Sequence, residues 1–377
     1  MKCNSVIVVM LIFAITLQSC TSQKPVATQS RAQTFTELNA EQLKPFGRFA
    51  LSNGKLEMVS TAMHFGFTFE GNECLINAEV QPGTHNYLQY EIDGKYIGRI
   101  RVDANNNSPI FIRTVGNGKH TLWMYKATEA HSGPIYITKV SGKNIVALER
   151  SSAPLIEFIG NSITCGAAAD PSEVPCGTGQ YHDQHNAYMS YGPVAARAVH
   201  ANYIVSSVSG IGVYRNWNSD GPAMPEVFRS VDFQVNGRPW NFDFYRPDIV
   251  TIALGTNDFS KGDGVRQRLP FDSARYVHSY IDFVQSLQSY YPQAQIVLMN
   301  SPMVGGADAA LMKNCLAAIK SEVDKKTVHL KPLKIFLFNP MKARGCSGHP
   351  NVEDHVILAK ELMPYLRSLI DEIHVKK

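Results

Sequence analysis

The chain has 377 residues, 44% of them hydrophobic and 18% charged, enough for two domains and a sizeable core. Its formal net charge of +4 is mild, and the Lys and Arg residues are scattered rather than massed, which argues against nucleic-acid binding. Nucleotide chemistry and the usual α/β-hydrolase plan lose support as well, because no P-loop, no Gly-x-Gly-x-x-Gly after a strand and no Gly-x-Ser-x-Gly elbow occurs.

The chain opens with Met1-Lys2 and an apolar core at residues 6–15, too short to span a bilayer, as in an export signal. Leu17-Gln18-Ser19-Cys20 then resembles a bacterial lipobox, which implies a signal peptide over residues 1–20 and lipidation at Cys20. The expected location is the bacterial cell envelope, with the lipid as the only link to a membrane. Residues 21–42, rich in Ser, Gln and Thr at their start, are expected to be a flexible tether.

Residues 43–148 carry short, alternating, β-prone segments at 65–70, 86–92 and 120–125. Turn residues separate them, at Gly71-Asn72, Asp93-Gly94 and Gly116-Asn117-Gly118, so an antiparallel sandwich is expected. The texture changes from Leu155 onward. Apolar strands at 155–160, 203–205, 248–254, 296–299 and 335–338 alternate with helical patterns at 194–201, 274–291, 309–326 and 352–373. That alternation implies a parallel sheet covered on both faces. The fold class is therefore α/β, with a catalytic domain placed at residues 152–377.

Several strands end in residues that can carry chemistry. Leu155-Ile156-Glu157-Phe158-Ile159-Gly160-Asn161-Ser162 reads as strand, tight turn and helix start. A serine there sits at the carboxyl end of a strand, where open α/β sheets bind ligands, and at a helix start whose N–H groups favour negative charge. Acyl transfer needs its nucleophile in such a place, although Gly-x-Ser also caps ordinary helices. Further blocks follow at Ser209-Gly210-Ile211-Gly212, Gly255-Thr256-Asn257-Asp258 and Gly348-His349-Pro350-Asn351.

In this order, Ser162, Gly210, Asn257 and His349 match the four blocks of the SGNH (GDSL-like) hydrolase superfamily, which the segment from about residue 155 resembles. Phe158-Ile159-Gly160-Asn161-Ser162-Ile163-Thr164-Cys165-Gly166, Ser209-Gly210-Ile211-Gly212-Val213-Tyr214-Arg215-Asn216 and Leu254-Gly255-Thr256-Asn257-Asp258-Phe259-Ser260 are similar to carbohydrate esterase family 2. The resemblance implies a jelly-roll-like β-sandwich followed by a three-layer α/β/α hydrolase domain. It also implies removal of O-acetyl groups from plant polysaccharides such as xylan and glucomannan; no cofactor or metal is expected from the residues themselves, which offer no CxxC pair.

By that resemblance Ser162 is the nucleophile and His349 the base. The backbone N–H groups of Ser162 and Gly210 and the side-chain amide of Asn257 form the oxyanion hole. Two positions depart from the superfamily pattern: Asn161 replaces the usual aspartate before the serine, and Ser347 and Cys346 stand where an acid would precede the histidine. A Ser–His dyad is expected, with His349 oriented by a backbone carbonyl near Cys346 or Ser347. Glu353 and Asp354 read as first-turn helix charges.

Tyr214, Trp217 and Trp240 are candidates for stacking on sugar rings, and residues 177–188 for a rim of the site. His182-Asp183-Gln184-His185 has HxxH spacing, but in a Gly/Pro-rich loop it reads as polar lining rather than a zinc site. Among the cysteines after Cys20, Cys165–Cys176 and Cys315–Cys346 are the pairings considered, with Cys74 left over. The alternatives are an esterase acting on another acyl ester and an inactive glycan-binding lipoprotein.

Overall fold

Apolar alternation and closely spaced turns build the first half. The computed structural model describes residues 35–106 and 108–376, so the expected signal peptide, Cys20 and the tether up to residue 34 lie outside the described residues. Nine antiparallel strands follow: β1 (Thr36–Asn39), β2 (Phe49–Ser52), β3 (Lys55–Met58), β4 (His64–Glu79), β5 (His85–Ile92), β6 (Lys95–Asp103), β7 (Ile110–Arg113), β8 (Lys119–Lys126) and β9 (Ile135–Ala147). Their main order is β2-β3-β9-β4-β8-β5-β6, with β1 on β9 and β7 on β4.

The structure corrects the sequence reading here in two places. Residues 36–42 are not tether: β1 pairs antiparallel with β9, and Leu38 and Ala40 are buried. Gly71-Asn72 is not a turn between strands either. β4 runs through it, Gly71 takes φ +94°, and the ladder with β9 shifts register between Glu70 and Cys74, as at a bulge. Glycine adopts that conformation at no steric cost, so the strand bends without ending.

The second half alternates strands and helices, in the order β10 (Leu155–Gly160), α1 (Ser162–Cys165), α2 (Tyr191–Ala198), β11 (Asn202–Ser207), α3 (Met224–Val227), β12 (Ile249–Ala253), α4 (Thr256–Phe259), α5 (Ser273–Tyr290), β13 (Gln295–Met299), α6 (Gly306–Lys326), β14 (Lys334–Phe336) and α7 (Val352–Lys376). The sheet is parallel, in the order β11-β10-β12-β13-β14. Successive residues of a strand point to opposite faces, and β10 shows the consequence. Ile156 and Phe158 pack with Leu358 and Leu362 of α7, whereas Leu155 and Ile159 belong to the core that holds Val284 of α5 and Leu316 of α6. The result is an α/β/α sandwich.

β10 is the second strand of five, and its neighbours β11 and β12 lie on either side. The chain therefore reverses its direction of growth at β10, and the crevice outside the carboxyl ends of β10 and β12 is where such sheets bind ligands. The described residues from Phe35 onward form one compact unit. Arg48, only 1% exposed, shows how the halves join: it donates to the carbonyl oxygens of Phe228 and Ser230, lies 4.3 Å from the Phe228 and Phe233 ring centroids, and sits 4.0 Å from Glu157 on β10.

Candidate active site

Gly160 closes β10 because its neighbour leaves no alternative: an added Cβ would lie 2.0 Å from Thr164 Oγ1. Asn161 then caps α1, accepting from Ile163 N at 3.1 Å, and Ser162 is the first helical residue. α1 has four residues and ends at Gly166, in the left-handed region at φ +66°. The macrodipole expected from sequence is correspondingly small, so stabilisation of charge near Ser162 falls to individual N–H groups rather than to a helix.

Ser162, Ser209, Gly210, Asn257 and His349 line one cleft of about 570 Å³, together with Tyr181, Trp217, Met303, Ser347 and Gly348. Gly210 has φ +75°, and a Cβ there would meet Trp217 Cδ1 at 2.7 Å. Both backbone and neighbour thus require glycine. Asn257 donates one amide hydrogen to Ile211 O at 2.7 Å, which fixes the amide plane and leaves a second N–H for another acceptor. Asp258, buried beside it, accepts from Val213 N and Tyr214 N at 3.0 Å and so shapes the loop after Gly210. Burial pushes the Asp258 carboxyl up to about 6, although those amide hydrogen bonds oppose the shift.

His349 ends a tight turn. Gly345 N donates to His349 O at 2.7 Å and His349 N to Cys346 O at 3.0 Å, while Ser347 and Gly348 take φ +52° and +71°. Its Nδ1 lies 3.1 Å from the carbonyl oxygen of Ser347, so that nitrogen donates and Nε2 is the acceptor in the neutral ring. Burial, and then the nearby His185, hold the imidazole below its ordinary value. Among the described residues no hydrogen bond joins Ser162 Oγ to this ring; catalytic contacts of this kind often tighten only in the Michaelis complex.

The disulfide differs from both pairings considered. Cys346 bonds to Cys176, 170 residues away, while Cys165 and Cys315 are buried free thiols. Spacing suggested local loops, but the covalent link joins the histidine turn to the loop before Tyr181. Asp354 is also more than a first-turn charge. It is buried, accepts from Arg344 N at 2.9 Å and Arg344 Nε at 2.7 Å, and receives Asn351 N at 3.2 Å, bracing the histidine turn from behind.

The aromatic candidates separate. Trp217 is 39% exposed and lines the cleft. Tyr214 is buried, accepts from Asp272 N at 3.1 Å and packs on Phe271 and Tyr276, away from that cleft. Trp240 is buried between Phe49 and Tyr245, near Arg48, where the two halves meet. Both satisfy core packing rather than sugar stacking, so neither stands as a substrate contact.

Sequence reasoning missed Tyr181 as an individual wall residue, although the rim expected at 177–188 contains it. It also missed Arg268, which donates to the carbonyl oxygens of Asn216, Trp217 and Asn257 and clamps two cleft walls together. Nothing about an arginine in a polar loop announces that role.

The HxxH histidines diverge: His185 turns toward Glu129, and His182 joins His85 and Asp183 in a group whose ligand-type atoms lie within 4.8 Å. Tetrahedral zinc ligands at about 2.0–2.1 Å from the metal stand about 3.3 Å from one another. His85 Nε2 and Asp183 Oδ1 are 2.5 Å apart, His182 Nε2 is 3.2 Å from His85 O, and Tyr87 OH donates to Asp183 at 3.2 Å. That is the spacing of a hydrogen-bonded lock between β5 and the rim loop.

A serine, a histidine and an asparagine line one cleft at the point where a parallel sheet reverses its growth, an arrangement suited to acyl hydrolysis. The GDSL-like lipase/acylhydrolase family matches residues 158–352, and the carbohydrate esterase 2 N-terminal family matches residues 46–147. The chain belongs to the GDSL-like lipase/acylhydrolase family, with the N-terminal region of carbohydrate esterase family 2 ahead of it.

Among curated relatives, an acetylxylan esterase/glucomannan deacetylase of Cellvibrio japonicus is 27% identical over 319 residues, covering 81% of this chain and 84% of the relative. Cellulase/esterase CelE of Acetivibrio thermocellus is also 27% identical, over 317 residues, but this chain spans only 36% of its length. A solved family 2 carbohydrate esterase from Cellvibrio japonicus superposes with a TM-score of 0.78, 23% identity and coverage of 90% of this chain and 98% of that one. One from Clostridium thermocellum, in complex with cellohexaose, gives a TM-score of 0.74 at 24% identity, with coverage of 86% and 98%. These two likenesses confirm the expected fold.

Proposed function

We propose that this enzyme removes acetyl groups from plant polysaccharide or oligosaccharide of the xylan or glucomannan type, by a Ser162–His349 dyad and an acetyl-enzyme. The observation that carries the reading is the convergence of Ser162, Gly210, Asn257 and His349 on one cleft whose wall also holds the half-exposed Trp217. The relatives named for acetylxylan and glucomannan deacetylation supply the substrate class.

His349 Nε2 takes the proton of Ser162 Oγ as that oxygen bonds to the acetyl carbonyl carbon. The carbonyl π pair moves onto oxygen, and the N–H groups of Ser162, Gly210 and Asn257 receive that oxyanion. Collapse breaks the bond to the sugar oxygen, which takes the proton from His349. Water then repeats the sequence on the acetyl-enzyme and releases acetate. The Ser347 carbonyl does part of an acid's work, since it holds Nδ1–H and leaves Nε2 basic. Trp217 offers its apolar surface to a sugar ring beside the acetyl site.

Acetate release from acetylated xylan and acetylated glucomannan, compared with p-nitrophenyl esters of lengthening acyl chain, tests this directly. Turnover of the acetylated glycans and a preference for acetate are expected. A preference for long acyl chains with no release from either glycan would move the protein to another class of ester. A lipid anchor at Cys20 is proposed alongside, on the strength of the apolar run before it. Cys20→Ala is expected to shift the protein from the detergent to the aqueous phase, and unchanged partitioning would refute the anchor.

A further inference from the structure

Glu129 lies outside all four sequence blocks, in the connection between β8 and β9, yet its carboxylate bonds to Ser209, a residue that lines the cleft. It is 4% exposed. Oε2 accepts from Ser209 N at 2.5 Å and lies 3.6 Å from the Cys165 thiol in α1, and Oε1 is 3.4 Å from His185 Nε2. One carboxylate from the antiparallel half therefore ties the strand end that carries Gly210 to the helix that carries Ser162.

Burying a carboxylate is costly unless hydrogen bonds compensate it. Here burial alone would raise its pKa, but the bonds from His185 and Ser209 outweigh that and hold the carboxyl down at about 2. His185 is itself oriented: its Nδ1 accepts from Ala168 N at 3.3 Å, which leaves Nε2–H for Glu129. The segment that presents Glu129 is fixed too. Lys126 Nζ, fully buried, donates to Thr128 Oγ1 at 3.0 Å and to the Glu129 carbonyl at 2.6 Å.

We propose that Glu129 is a positioning residue for oxyanion stabilisation, holding the Ser209 amide so that the next amide, Gly210 N–H, is aimed into the cleft. Gly210 is anchored on both sides: Ser209 N by Glu129, and its own carbonyl by Trp217 N at 3.0 Å. Between these anchors Gly210 takes φ +75°, and Tyr181 OH adds a bond to Ser209 Oγ at 3.4 Å. A donor aimed before the reaction begins costs no reorganisation when charge develops. The antiparallel half is thus part of the catalytic apparatus, whatever it contributes to sugar binding.

The inference rests on the esterase reading, so the experiment separates the two. With the full chain and p-nitrophenyl acetate, wild type must release acetate and Ser162→Ala must not; any other result fails the reading itself. Given that, Glu129→Ala is expected to lower kcat about 10- to 100-fold, short of or equal to loss of a whole oxyanion donor, with KM within about twofold. Glu129→Gln keeps an oxygen for Ser209 N and is expected to recover most of the loss. Inactivation by an alkyl phosphonate ester, whose serine adduct places an oxygen in the same hole, should slow in parallel with kcat. If Glu129→Ala does not fold, Glu129→Asp, with its carboxylate drawn back by one methylene, is measured instead and should show the same loss of kcat. Wild-type kcat in the folded Ala or Asp variant would overturn the proposal. So would equal losses in Ala and Gln, or an unchanged rate of phosphonylation.

Discussion

Ser162 and His349 reach the same cleft from turns held in different ways. At Ser162 the turn itself is shaped locally: Gly160 fits under Thr164, Asn161 caps Ile163, and Gly166 ends the helix, all within the strand–turn–helix unit that begins on β10, with bonds from Thr164 to Tyr191 and from Cys165 to Ser207 and Glu129 added around it. At His349 the restraints come from far along the chain. Cys176 is bonded to Cys346, Ala168 O accepts from Cys346 N at 3.0 Å, and Asp354 grips Arg344. The backbone at Ser162 is shaped chiefly by its own turn, whereas the backbone at His349 depends on contacts from far along the chain.

The comparison breaks most sharply at the nucleophile. Ser162→Ala should bring acetate release down to background while thermal unfolding stays close to wild type, since a small polar side chain is replaced within an intact turn. Wild-type turnover by the alanine variant would remove the proposed nucleophile. Next in size is Asn257→Ala, expected to lower kcat about 100- to 1,000-fold with a smaller change in KM, as for loss of one oxyanion donor. The bond from Asn257 to Ile211 O is lost as well, so circular dichroism must show a folded variant for the comparison to count.

The difference between the turns also explains what the sequence disclosed. Strand ends with Gly160, Gly210 and Asn257 are legible because each joins an apolar run to a residue with a local job. The same reading misplaced Tyr214 and Trp240, because aromatic type does not say whether a ring faces solvent or a core. It could not find the Cys176–Cys346 bond, which depends on where two distant loops meet. Glu129 and Arg268 were invisible for a related reason: their partners are brought near only by the completed fold. The antiparallel half was legible in its alternation at β5 and β8, and failed where Gly71 bends a strand instead of ending it.

A third test sharpens the histidine side. Cys176→Ser combined with Cys346→Ser, or reduction of the wild type, should cost about tenfold in kcat, since small misplacements of a catalytic group are felt strongly. Ser162 should remain reachable by a small serine reagent, because its own turn is untouched. Equal activity with and without the bond would show that backbone hydrogen bonds suffice. Smaller still is the pH effect. As the proposed base His349 works only when neutral, and its lowered pKa is expected to place the acid limb of kcat/KM below the free-imidazole value of about 6.5. Activity is therefore retained at mildly acidic pH and lost as the pH falls further; a limb centred above 7 would contradict the environment described for this ring.

The smallest expected effects bear most directly on the dyad. Glu353→Gln should leave kcat/KM for p-nitrophenyl acetate within about twofold, since a first-turn charge contributes little to helix stability. Asp354→Asn should cost no more than about tenfold, by loosening the brace on Arg344. A triad aspartate that sets the tautomer is worth about 10⁴-fold in a serine protease. Measuring kcat/KM for both variants beside Ser162→Ala decides the matter. Modest losses are the result expected of a histidine held by the Ser347 carbonyl. A collapse of either variant to the level of Ser162→Ala would mean that a carboxylate orients His349 and that the enzyme works as a triad.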